Sequence, residues 1–270
     1  MVSCNFVLSD KHKILTAFPQ IMENLSFQLE ACVNCFHAAR IAEQAGADRI
    51  ELCENLHAGG TTPSVGTIKQ VKARLQIPLY VMIRPRGGDF CYDEEEFAIM
   101  QTDIAFCKNL GCEGVVFGIL KENGEIDVDR CRRLVELAWP METTFHRAFD
   151  LCPNPRRALE ELVDAGFQYI LTSGQQVRAV DGIDLLVQLD ELAGGRIQLI
   201  AAGGIRYPQL QELLTRTHLR YFHSGASVPM PAVFPGSAPF ALSDILINGE
   251  EIERMKTLLR EYTQKQAPSE

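Results

Sequence analysis

Two Glu-x-Cys pairs, Glu30-Ala31-Cys32 and Glu51-Leu52-Cys53, are the most concentrated chemistry in the chain. Each closes an apolar run, and residues two apart on a strand share a face, so each carboxyl projects beside its thiol. Four more runs end on polar groups in the same way: Ile83-Arg84, Phe145-His146-Arg147, Leu171-Thr172-Ser173 and Phe222-His223-Ser224. Carboxylates are seldom buried unpaired. Glu30 and Glu51 therefore need cations, and strand ends supply Arg84, Arg86 and Arg147, with His146 and His223.

Such a set is either a ring of structural ion pairs or a reactive pocket. In the second case Glu30, Glu51, His146, Asp150 and His223 are the acid–base candidates, since imidazole titrates near neutrality and carboxylates shift with burial. Asp150 would orient His146 or clamp Arg147. Arg84, Arg86 and Arg147 suit an anion, because guanidinium offers a planar fork to two oxygens. Two glycine-bearing loops, Ala202-Gly203-Gly204-Ile205 and Ser224-Gly225-Ala226, extend that set. Gly203, Gly204, Ser224 and Gly225 there would cradle phosphate, or the glycines would simply permit close packing.

Metal binding is a separate possibility. Cys32 and Cys53 offer two thiolates to soft Cu(I). Glu30, Glu51, Asp150, His146 and His223 could instead hold a hard divalent ion, and buried free cysteine often only packs. None of the eight lysines falls in a strand-end motif, which disfavours Schiff-base chemistry. The apolar stripes Val65/Ile68/Val71/Leu75 and Phe97/Met100/Ile104/Cys107 read as core, and no organic cofactor is expected.

The elements that must position these groups are legible. Strand-like runs begin near Ser26, Asp48, Pro78, Gly114, Met141, Tyr169, Ile197 and Tyr221, each followed by a helical pattern. The spacing predicts an α/β protein, a single TIM-like (β/α)8 barrel whose carboxyl strand ends carry the site. Residues 1–25 form an N-terminal arm, 26–265 the barrel and 266–270 a tail. A Pro-rich stretch from Ser227 to Ser243 reads as a long irregular loop before the last helix, Gly249 to Lys265. Thr62-Pro63 and Asn154-Pro155 read as helix starts, and Asp93/Glu96 and Asn248/Glu251 have capping-box spacing. Ala45-Gly46, Leu110-Gly111 and Ala165-Gly166 read as helix ends.

Composition narrows the partners. A net charge of −9 over 270 residues disfavours nucleic acid. No apolar run approaches the roughly 18 residues of a membrane span. Nine cysteines, an odd number, in a chain this long suggest reduced thiols and a cytoplasmic setting.

The strings Ala47-Asp48-Arg49-Ile50-Glu51-Leu52-Cys53, Gly59-Gly60-Thr61-Thr62-Pro63-Ser64, Ile83-Arg84-Pro85-Arg86-Gly87-Gly88-Asp89-Phe90, Thr144-Phe145-His146-Arg147-Ala148-Phe149-Asp150 and Leu171-Thr172-Ser173-Gly174 closely resemble the CutC copper-homeostasis family. The resemblance runs in order from about Phe27 to Ala226. It implies a cytoplasmic TIM-like barrel, a homo-oligomer (dimer or tetramer), and copper binding in which Cys32 and Cys53 are the metal ligands. Cys35 and the long arm depart from the family pattern. Two functions follow: a Cu(I)-binding homeostasis protein, or a barrel enzyme acting on a small anionic metabolite, phosphorylated ones included.

Overall fold

Strand β1 (Gln28–Val33) pairs on one side with β2 (Arg49–Leu52) and on the other with β8 (Tyr221–Ser224), and this double pairing closes the sheet. Between them run β3 (Leu79–Met82), β4 (Gly114–Phe117), β5 (Glu142–Phe145), β6 (Tyr169–Thr172) and β7 (Gln198–Ala201), all parallel. The computed structural model describes residues 26–229 and 245–266. The arm at 1–25, most of the Pro-rich loop and the tail from 267 lie outside them.

Helices α1 (Phe36–Gln44), α2 (Val65–Arg74), α3 (Glu94–Leu110), α4 (Val128–Ala138), α5 (Pro155–Ala165), α6 (Ile183–Ala193), α7 (Tyr207–Arg216) and α8 (Gly249–Gln266) surround the barrel. The fold is the expected TIM-like (β/α)8 barrel, and every strand starts within two residues of its predicted position. Several helix ends follow their local chemistry. Asp93 and Glu96 complete a reciprocal capping box on α3, and Asn154 accepts from the Arg157 amide ahead of Pro155. Gly46, Gly111 and Gly166 all take positive φ where helices end.

Two expectations need correction. Helix α2 is capped by Ser64, whose hydroxyl accepts from the Thr67 amide at 3.2 Å. Thr62 instead accepts from the Arg84 amide at 2.9 Å, so Thr62-Pro63 belongs to a loop–loop contact. The stretch after β8 is not wholly irregular either. Its described start, β9 (Ser227–Pro229), pairs as an antiparallel ribbon with β10 (Ile245–Ile247), which lies just beyond it.

Period-two alternation divides the apolar residues into two cores. Leu29, Ala31, Val33, Ile50, Leu52 and Val81 face the helices and are at most 1 % exposed. Fully burying a side chain of the Leu or Ile kind contributes about 1.5–3 kcal/mol each. The alternate residues fill the barrel, where Tyr80, Met82, Val116, Tyr169, Leu171, Ile200 and Ala202 pack together with Cys53. Glu30, Cys32, Arg49 and Glu51 share that interior alternation, which is why the outer layer is apolar and the inner one is not.

Candidate functional site

Charge inside the barrel starts at Arg49. Its guanidinium lies 4.1 Å from the Tyr80 ring centre and 4.3 Å from that of Tyr169, positions where a cation gains from the negative ring faces. Both tyrosine hydroxyls donate to Glu142. Arg49 Nε is paired with Glu30 Oε2 at 2.7 Å. The other Glu30 oxygen lies 2.7 Å from His223 Nδ1. Burial works to raise the Glu30 pKa, but Arg49 and His223 outweigh it and keep the carboxyl below its ordinary range.

Above that floor, Glu51 and the two thiols meet His223. Cys32 Sγ and Cys53 Sγ are 3.9 Å apart, and the Cys53 thiol donates to Glu51 Oε2 at 3.3 Å. The hydrogen bond with Cys53 lowers Cys32 most; His223 and Glu51 add to it, and together they bring the thiol down to about 5 against the effect of burial. Cys53 moves the other way, pushed well up by the same hydrogen bond and by burial. Burial and the Cys32 charge raise Glu51 well above a normal carboxyl. Burial would lower His223, yet its anionic neighbours raise it well above its usual value. Glu51 does most to raise it, and Cys32 and Glu30 add to that. Arg49, Glu30, His223 and Glu51 thus form one line of close contacts, 2.7, 2.7 and 3.9 Å apart in turn.

A cavity of about 440 Å³ opens over this chain of charges. Cys32 and His223 line it together with Arg147, Gly203, Gly204, Ser224 and Gly225. Glu30 and Glu51 lie beneath, each 2 % exposed. Arg147 is held by Asp150 Oδ2 at 2.8 Å and by the Ser173 hydroxyl oxygen, toward which its Nη2 donates, at 2.8 Å. Asp150 also accepts from the amides of Ser173 and Gln175 and from the Thr172 hydroxyl. It therefore fixes Arg147 and the loop after β6.

The other predicted site residues go elsewhere. Arg84 is 3 % exposed and donates to the carbonyls of Ala58, Gly60 and Gly88 at 2.7–2.8 Å. It staples two loops. Arg86 is engaged by Glu96, Asp89 and the Cys91 carbonyl at the start of α3. His146 is buried against Phe90, whose other neighbour is the Arg84 guanidinium. Burial, helped by the Arg84 charge, lowers its pKa to about 3. Its Nδ1 accepts from the Ala148 amide, while Nε2 is buried without a hydrogen-bond partner among the described residues. The single mouth expected for Glu51, Arg84, His146 and His223 thus resolves into two clusters: Glu51 with His223, and His146 with Arg84. Cys35 caps α1, its sulfur accepting from the Ala38 amide at 3.4 Å.

Arg49, Tyr80, Glu142 and Tyr169 were not singled out from the sequence. The signal was present: Arg49 stands two residues before Glu51 on β2, and Glu142 four before His146 along β5. The same alternation that pairs Glu51 with Cys53 places Arg49 inside the barrel.

Comparison with known proteins agrees with this architecture. Human and mouse proteins named copper homeostasis protein cutC homolog are 46% and 47% identical over 200 residues, covering 74% of this chain and 73% and 74% of theirs. A CutC protein from Yersinia enterocolitica is 41% identical over 243 residues, 86% of this chain and 95% of its own. The crystal structure of CutC from Streptococcus agalactiae superposes with a TM-score of 0.71 at 33% identity, covering 74% of this chain and 98% of that one. Phosphoribosylanthranilate isomerase from Thermotoga maritima, at 12% identity and a TM-score of 0.55 over 87% of this chain and 99% of its own, shares the fold alone. The model of the CutC family matches residues 27–228, a span from the start of β1 into β9 that holds every group of the inner cluster, and the chain belongs to that family.

Proposed function

We propose that this protein binds Cu(I) through Cys32 and Cys53 and serves copper homeostasis, as the names of its relatives suggest for them. The observation that carries the reading is the 3.9 Å separation of the two sulfurs. Two sulfurs at about 2.3 Å from one ion lie about 3.8 Å apart at a tetrahedral angle and about 4.0 Å apart at a trigonal one. The donor set also fits: soft thiolates select Cu(I), and Cys32 is already biased toward thiolate. Cys32 lines the cavity, which offers the ion a way in. Glu51 and Cys53 lie close enough to Cys32 to share one ion with it. The reading includes a reducing, cytoplasmic setting and a homo-oligomer. No helix of the described residues is long and apolar enough to cross a membrane.

The test is anaerobic Cu(I) titration against a chelator of known affinity. Wild type should take up one equivalent, and Cys32→Ser and Cys53→Ser should each weaken binding at least a hundredfold. Unchanged stoichiometry and affinity in both variants would remove the reading.

A second reading is favoured by the cavity itself. Its volume of about 440 Å³, with Arg147 and two glycine loops in its wall, suits a small anionic metabolite better than a bare ion. In that reading the protein is a barrel enzyme. A carboxylate or phosphate ester that raises the melting temperature of wild type but not of Arg147→Gln supports it.

A further inference from the structure

Glu51 is left short of partners. It is 2 % exposed. Its Oε2 accepts from the Cys53 thiol, a weak donor, and its Oε1 has no hydrogen-bond partner among the described residues. His223 Nε2, at 3.9 Å, is beyond hydrogen-bond reach of Oε2. A buried carboxyl oxygen without a donor is costly, so the group calls for a cation. Copper held by two thiolates does not need it, because soft Cu(I) prefers sulfur to a hard oxygen.

The sulfur spacing points the same way. An ion in line between two sulfurs at about 2.3 Å would hold them roughly 4.6 Å apart. The observed 3.9 Å closes that angle to about 115° at the same bond length, which leaves the ion room for further donors. Glu51 Oε2 lies 3.3 Å from Cys53 Sγ, near the roughly 3.5 Å that a thiolate and a carboxylate oxygen span on a tetrahedral zinc ion. One ligand atom each from Cys32, Glu51 and Cys53 lies within 4.8 Å of the other two. Zn²⁺ accepts both donor types. His223 Nε2 and Glu51 Oε2 would need to stand roughly 3.4 Å apart to share a tetrahedral ion; at 3.9 Å the imidazole is an outer neighbour. Cys53 and Glu51 are 1 % and 2 % exposed, whereas Cys32 lines the cavity, so the open side of the group faces that cavity.

We propose that Cys32, Cys53 and Glu51 form a three-ligand site for a tetrahedral divalent ion of the Zn²⁺ class, with its fourth position open to the cavity and taken by an oxygen of a small anion. This shares the two sulfur ligands with the first reading above and rests on the second for the anion. Three protein donors with one open position are the pattern of catalytic zinc, whereas structural zinc is closed by four. An ion held this way is a Lewis acid for an oxygen of the bound anion, in a cavity whose wall also carries Arg147. Glu51 then sets the preference between metals: it adds a hard oxygen that the divalent ion uses and Cu(I) does not.

The experiment uses the full chain, reduced, anaerobic and stripped of metal with a chelator, with Co²⁺ as the spectroscopic stand-in for Zn²⁺. Wild type should bind one equivalent of Co²⁺ with the strong visible bands of a four-coordinate ion and a near-ultraviolet thiolate-to-cobalt charge-transfer band. One equivalent of Zn²⁺ should bleach both. Cys32→Ser and Cys53→Ser should each weaken the charge-transfer band. Glu51→Gln should keep that band and weaken Zn²⁺ binding at least about tenfold more than it weakens Cu(I) binding. Succinate should shift the visible bands of wild type, and Arg147→Gln should raise the half-saturating succinate at least about tenfold. Cys91→Ser, away from the cavity, should change nothing.

The weak visible bands of a six-coordinate ion, a missing charge-transfer band, or equal losses of Zn²⁺ and Cu(I) affinity in Glu51→Gln would overturn the proposal. So would visible bands indifferent to succinate, the mark of a site closed by protein. The cobalt and succinate spectra need wild type alone, so they decide even if the Glu51 variant fails to fold. The earlier readings fail separately. Cu(I) binding unchanged in both cysteine variants removes the first, while the cobalt spectrum, recorded without copper, tests the divalent site by itself. If succinate raises the melting temperature of the metal-free chain yet leaves the cobalt spectrum unmoved, the anion cavity stands and the divalent site falls.

Discussion

Arg49 Nε lies 2.7 Å from Glu30 Oε2 in the middle of the barrel, with both side chains at most 6 % exposed. Removing one partner of such a pair strands the other without water. Arg49→Leu is expected to cost about 3–5 kcal/mol. Arg49→Leu combined with Glu30→Leu should be less destabilised than the single change, because no uncompensated carboxylate remains. Urea unfolding of wild type, both single variants and the double variant measures the coupling.

Copper should act as a stabilising ligand. At a free Cu(I) concentration a hundred times Kd, wild type should gain about 2.7 kcal/mol over its metal-free form. The Cys32→Ser/Cys53→Ser double variant should gain nothing. Anaerobic thermal melts at a fixed chelator ratio provide the comparison.

His146 predicts an acid-labile term. Burial, with the Arg84 charge second, holds it down to about 3, whereas the unfolded chain protonates it near 6.5. Between these values the unfolded state binds the extra proton, so stability is present above 6.5 and falls as pH drops. The loss is about 1.4 kcal/mol per pH unit in that window. His146→Phe should flatten the slope of unfolding free energy between pH 6 and pH 4, measured in urea at several pH values.

Gly114 leaves the space in which the Tyr80 ring lies against Arg49. A Cβ there would overlap the ring and sit 3.0 Å from the Glu142 carbonyl oxygen. Gly114→Ala should destabilise by about 1–3 kcal/mol through overpacking. It should also alter the near-ultraviolet signal of the buried tyrosines.

Asp150 anchors the loop after β6 through the amides of Ser173 and Gln175. Asp150→Ala leaves those donors without it and should cost about 1–3 kcal/mol. Hydrogen exchange should speed up at 173–176 while the strand amides of β1 and β2 keep their protection.

Strands and their reactive carboxyl ends were readable because their signals are local. Period-two alternation, apolar length and the glycine and proline punctuation each need only a few neighbouring residues, and they located all eight strands. The side-by-side placement of Glu30-x-Cys32 and Glu51-x-Cys53 followed from β1 and β2 being consecutive. Helix caps were partly readable: Asp93 and Asn154 serve as expected, but Ser64 displaces Thr62 because the Thr62 hydroxyl is taken by Arg84.

What the linear order could not contain is closure and loop course. Glu30 and His223 meet across 193 residues only because β8 docks on β1. Arg84 and Arg147 both follow strands in sequence, yet the first turns to three carbonyls and the second lines the cavity. A side chain's alternation is set within its own strand, so sequence assigns it to the barrel's inside or outside. Which charge it then meets depends on the register of distant strands and on backbone oxygens in loops, and those are settled only when the whole barrel packs.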